Sequence, residues 1–121
     1  MIYKVGMLCK HFKGHNLEDK NIYRIIELNA TGKNIDSEKI TYTGDGNLQT
    51  ADNLVIYANI FQNNKLFARE YDDISSPLSP EKQIQFNQQI KVQPLNEQEI
   101  LIVSSPSFVE VKENQTREKF Q

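Results

Sequence analysis

The stretch from Asn53 to Phe61 constrains this chain more than any other. Leu54, Ile56, Ala58 and Ile60 share one face of an extended segment, while Val55, Tyr57 and Phe61 share the other, because successive strand side chains point to opposite sides. A strand that is apolar on both faces is buried on most of both sides, so it should be central in a covered sheet. Gln62-Asn63-Asn64-Lys65 and then Leu66-Phe67-Ala68-Arg69 follow. Two Asn residues tolerate the left-handed backbone of a primed turn, and the whole reads as a β-hairpin.

Other strand signals surround it. Ile2 to Val5 is β-prone, and in Ile22 to Leu28 the residues Ile22, Ile26 and Leu28 oppose Tyr23, Ile25 and Glu27. Lys39-Ile40-Thr41-Tyr42-Thr43 is β-branched and aromatic and stops at Gly44-Asp45-Gly46, whose glycines permit the positive φ of a tight turn. The character changes at Ser75-Ser76-Pro77-Leu78-Ser79-Pro80, where two prolines exclude continuous strand or helix. Ser79 then caps a helix that has Pro80 at its first position and Glu81 in its first turn, running to about Asn87. An extended piece from Gln89 to Pro94 follows. Asn96 caps a second helix with Glu97 and Glu99 in its opening turn, and Ser105-Pro106 starts a third that runs toward Lys119.

Charge and composition narrow the class. The 121 residues allow one domain, and 38% apolar content with six Phe and five Tyr fills a modest core. With 14 basic and 16 acidic residues the net charge is −2, which gives no global attraction to nucleic acid or anionic lipid. The lone Cys9 cannot form an intramolecular disulfide, and the N-terminal segment has no apolar core of signal-peptide length. Both features point to a reducing, cytoplasmic setting. No run approaches the roughly 18 apolar residues of a membrane span, so no membrane partner is expected.

The segment His11-Phe12-Lys13-Gly14 resembles the opening of a small bacterial family, domain-of-unknown-function family 1653. The family's second half is an apolar strand with a central Tyr, a short turn and a strand ending in Arg-Pro. Leu54 to Phe61, with Tyr57 at its centre, and Leu66-Phe67-Ala68-Arg69 resemble it over roughly residues 6 to 75. Glu70 stands where the family has Pro, and Leu66 where it has Trp. The resemblance implies a compact, mostly β module similar to a small SH3-like barrel, with no assigned activity, ligand or catalytic residue.

Several constellations offer chemistry. Cys9, His11 and His15 form a Cys-x-His-x₃-His cluster that supplies three zinc ligands and wants a fourth. The alternative is a buried cysteine beside surface histidines. The same residues permit a Cys-His nucleophile, with Cys9 and His11 on one face of an extended segment. Lys10, His11, Lys13, His15, Lys20 and Arg24 make residues 1 to 24 locally basic, a pattern that touches phosphate in single-stranded nucleic-acid binders. Arg69, next to Glu70, Asp72 and Asp73, suits either an anion contact or a structural ion pair with Asp72 or Asp73. Exposed Phe12 and Tyr42 beside Arg69 would make an aromatic groove.

The sequence therefore predicts a mainly β fold with α: an SH3-like β-barrel over residues 1–75 and a helical C-terminal extension over 76–121 packed on the same domain. The expected role is a non-catalytic binding module that recognises a protein segment or small ligand through His11, Lys13, Tyr57 and Arg69. The alternative is a nucleic-acid module using the basic N-terminal segment. No cofactor and no metal are expected.

Overall fold

A computed structural model describes residues 2–14, 17–19, 21–106 and 108 of the chain. The described strands are β1 (Leu8–His11), β2 (Ile22–Ala30), β3 (Ile40–Tyr42), β4 (Leu54–Asn59), β5 (Lys65–Glu70) and β6 (Val92–Pro94), and the described helices are α1 (Tyr71–Ile74), α2 (Pro80–Phe86) and α3 (Glu97–Val103). The strands form one sheet in the order β3-β5-β4-β2-β1-β6. All six residues of β4 are buried, and the strand lies between β2 and β5, antiparallel to both. It is the central strand that its two apolar faces demand.

The expected SH3-like barrel is not formed. The sheet is open, ending at β3 on one side and β6 on the other. Closing a barrel requires its two edge strands to pair along their length. Here each edge strand has three residues, and β6 ends at Pro94, which has no N–H to offer a ladder. The architecture is a mixed one, an open six-stranded sheet with three short helices among the described residues. β3 runs parallel to β5, and the described part of residues 76–121 is not purely helical, since β6 extends the sheet beside β1.

Local signals explain most elements. Asn63 and Asn64 both adopt left-handed φ, 54° and 55°, and the Lys65 amide donates to the Gln62 carbonyl at 3.1 Å, closing the hairpin turn. The Ser79 hydroxyl caps α2 ahead of Pro80, and Asn87 ends it with a left-handed φ of 50°. Asn96 and Glu99 form a reciprocal capping box at the start of α3. Residues 2–5 make no strand. The chain turns at Val5-Gly6, where Gly6 has a φ of 90°, and buries Tyr3, whose hydroxyl bridges the carbonyls of Val92 (2.6 Å) and Ile74 (3.0 Å). Gly44 serves by close approach and not by positive φ, because a Cβ there would collide with the Tyr42 hydroxyl oxygen. The third helix expected from Ser105 toward Lys119 falls largely outside the described residues.

The core sits on both faces of the sheet. Cys9, Ile25, Val55, Tyr57 and Val92 pack with Tyr3 and Ile74 on one side. On the other side are Leu54, Ile56, Ala68 and Ala30, with a second group of Ile22, Leu95 and Val103. α3 is tied to β1 by an ion pair between Lys10 and Glu99 at 2.6 Å, both side chains mostly buried. No helix among the described residues is long and apolar enough to cross a membrane.

Candidate functional site

Strand register assembles the site. Tyr57 is the cross-strand partner of both Ile25 and Phe67, Val55 pairs with Arg69, and Cys9 pairs with Tyr23. Paired residues share a sheet face, as do residues two apart along a strand. His11, Tyr23, Tyr57, Phe67 and Arg69 consequently stand on one face, although they come from four strands. Together with Lys13 they line one pocket of about 280 Å³, completed by Asn21 and Thr43. All four residues singled out from the sequence, His11, Lys13, Tyr57 and Arg69, are brought together there.

The apolar wall is aromatic. The Tyr57 and Phe67 rings stack at 5.7 Å with 22° between their planes. Tyr23 stands edge-on to both, 5.1 Å from Tyr57 and 6.3 Å from Phe67. Burial pushes the Tyr57 hydroxyl up to about 12, with Thr43 and Arg69 acting the other way, so the phenol stays protonated at neutral pH. The expected pair Phe12 and Tyr42 does not make this wall. Phe12 is buried under Phe86 and stacks on His11 at 4.8 Å, and the Tyr42 hydroxyl donates to Glu70.

The polar rim is positive. Arg69 donates from Nη2 to Asp73, and the same carboxylate accepts from Lys91 Nζ at 2.9 Å. Burial alone would raise the Asp73 carboxyl, but the Lys91 hydrogen bond and the Arg69 charge outweigh it and hold the group below its ordinary value. Arg69 Nε is buried without an acceptor among the described residues. Lys13 is exposed and has no carboxylate partner among the described residues; its ammonium lies 5.9 Å from the Phe12 ring centroid. Among the described residues, neither Asp nor Glu lines the pocket.

His11 is neutral. Burial, followed by the charges of Arg69, Lys13 and Lys91, lowers its pKa to about 4 against a smaller opposing effect of Asp73. Its Nδ1 accepts the Lys13 amide at 3.1 Å, so the ring proton belongs on Nε2. A neutral imidazole with an N–H to give is a hydrogen-bond donor here.

The other sequence-derived constellations come apart. Cys9 is fully buried and its thiol is pushed up to about 12 by burial, which keeps it protonated and un-nucleophilic. His15 lies outside the described residues. Among the described residues no group of three His, Cys, Asp or Glu side chains is placed to hold a metal ion. Of the basic N-terminal set, Lys10 is buried against Glu99, His11 is neutral and Arg24 donates to the Gly6 carbonyl at 3.1 Å; Lys20 lies outside the described residues. Tyr23, Phe67, Thr43 and Asn21 were not foreseen as lining residues. Their place depends on register between strands distant in sequence, and an aromatic in a strand reads first as core. The chain matches no protein-family profile, no curated protein and no solved structure.

Proposed function

We propose that this protein is a non-catalytic binding module whose pocket at His11, Lys13, Tyr57 and Arg69 holds a small ligand. The observation that carries the reading is the convergence of four separate strands on one concave site with an aromatic wall and a cationic rim. Ligand sites are typically apolar hollows with a few oriented polar groups, mostly of about 300–1,000 Å³. A pocket of about 280 Å³ suits a compact ligand. An extended protein segment would instead use a sheet edge or a long groove, and this pocket lies on the sheet face. Cys9 is protonated, His11 Nδ1 is occupied by the Lys13 amide, and no carboxylate among the described residues lines the pocket, so these groups supply no nucleophile and base pair. Kinship with domain-of-unknown-function family 1653 and a cytoplasmic setting belong to the same proposal; they rest on the His11 to Gly14 and Tyr57 to Arg69 segments and on the unpaired Cys9.

The test is a fragment titration of ¹⁵N-labelled protein, read at the amides of Thr43, Tyr57, Phe67 and Arg69. Small molecules that shift these amides together, and lose that effect in a folded Lys13→Glu variant, are the expected result. No fragment shifting them overturns the reading. A response confined to oligonucleotides, falling steeply with salt, would replace it with nucleic-acid binding.

A further inference from the structure

The rim and the wall together specify a ligand chemistry, an inference that rests on the reading of this pocket as a ligand site. Three cations, Lys13, Arg69 and Lys91, act on His11 while one carboxylate, Asp73, opposes them. Asp73 is already shared between Arg69 and Lys91, so the positive charge around the pocket exceeds the negative. Lys13 and Arg69 both line the pocket, Lys13 with no carboxylate partner among the described residues. These are the features of a site that receives an oxyanion, since guanidinium and ammonium groups are the usual partners of carboxylates and phosphates.

The aromatic lining asks for something flat. Tyr57 and Phe67 are stacked, and Tyr23 stands perpendicular to them. Aromatic faces and edges in this arrangement accept another ring in offset or edge-on contact. Neutral donors, the His11 ring and the Thr43 hydroxyl, lie among the same lining residues.

We infer that the ligand is a compact aromatic ring bearing an oxyanion, with its ring against Tyr57, Phe67 and Tyr23 and its carboxylate or phosphate between Lys13 and Arg69. Benzoate, phenyl phosphate, benzyl alcohol, acetate and inorganic phosphate separate the parts of this statement in the amide titration at low salt. Benzoate or phenyl phosphate should bind about tenfold more tightly than benzyl alcohol, and similarly more tightly than its ring-free counterpart, acetate or inorganic phosphate. The tighter of the two identifies the oxyanion. Lys13→Gln, an exposed substitution, should reduce the preference for the aromatic anion over benzyl alcohol about fivefold. Benzyl alcohol matching the anions would overturn the oxyanion, and acetate or inorganic phosphate matching its aromatic counterpart would overturn the ring. Silence from all five probes would overturn the inference. Neutral, non-aromatic fragments seated in the pocket would then preserve the underlying binding reading, whereas no fragment of any kind would end both.

Discussion

Tyr57 of β4 and Phe67 of β5 are direct cross-strand partners whose rings stack 5.7 Å apart. The pairing that makes the aromatic wall is the pairing set by the hairpin turn, the five residues from Ile60 to Asn64 between β4 and β5. A one-residue slip in that register would send Phe67 and Arg69 to the opposite face and dissolve the site.

The turn is accordingly the first place to probe. Asn63→Val and Asn64→Val place β-branched side chains in left-handed backbone and should each destabilise the fold by about 1–2 kcal/mol. Asn64→Gly relieves the same conformation and should stabilise it by up to about 1 kcal/mol. Urea denaturation of the three variants checks this, and unchanged midpoints for the Val variants would contradict the turn geometry.

His11 makes stability depend on pH. Its folded pKa is lowered to about 4 from an ordinary 6.5, so between these values the unfolded chain binds more protons than the folded one. Stability is then complete above about 6.5 and is lost as the pH falls toward 4. With solvent screening the loss should reach no more than about 2 kcal/mol. A His11→Gln variant should show a flatter profile across that window, since Asp73, also lowered, adds its own loss at more acid pH. Identical profiles for the two proteins would contradict a partly buried neutral imidazole.

The Cys9 thiol, fully buried and pushed up to about 12, should resist alkylation by iodoacetamide at neutral pH and react only when the protein unfolds. Mass spectrometry of the treated folded protein reads this directly. Rapid modification under native conditions would revive a reactive cysteine.

Glu99 has two duties, capping α3 and neutralising the mostly buried Lys10. Glu99→Gln keeps an acceptor for the Asn96 amide but leaves the ammonium unpaired, at a cost of about 1–3 kcal/mol. The exposed Glu97→Gln should stay within about 0.5 kcal/mol of the parent. Equal stability of the two variants in urea would show that the Lys10 pair contributes little.

What was legible in the sequence was local. Ser79-Pro80-Glu81 and Asn96 to Glu99 announce α2 and α3 because a cap is a contact between residues three apart, and the paired Asn residues announce the hairpin for the same reason. Barrel closure was not legible, because whether two edges meet depends on strands far apart in the chain. The Tyr3 segment misleads for a related reason: its residues favour a strand, yet burying its ring and hydroxyl against Ile74 and Val92 wins. The site was half legible. His11, Lys13, Tyr57 and Arg69 were marked by residue type and motif, but Tyr23 and Phe67 join them only through the register of β2, β4 and β5.

The most direct test of the pocket's assignment is a crystal structure of the protein soaked with benzoate and, separately, with phenyl phosphate. For the tighter binder the ring should lie against Tyr57 and Phe67 and the oxyanion within hydrogen-bonding distance of Lys13 and Arg69. A ring lodged elsewhere, or an oxyanion turned away from both cations, would contradict it.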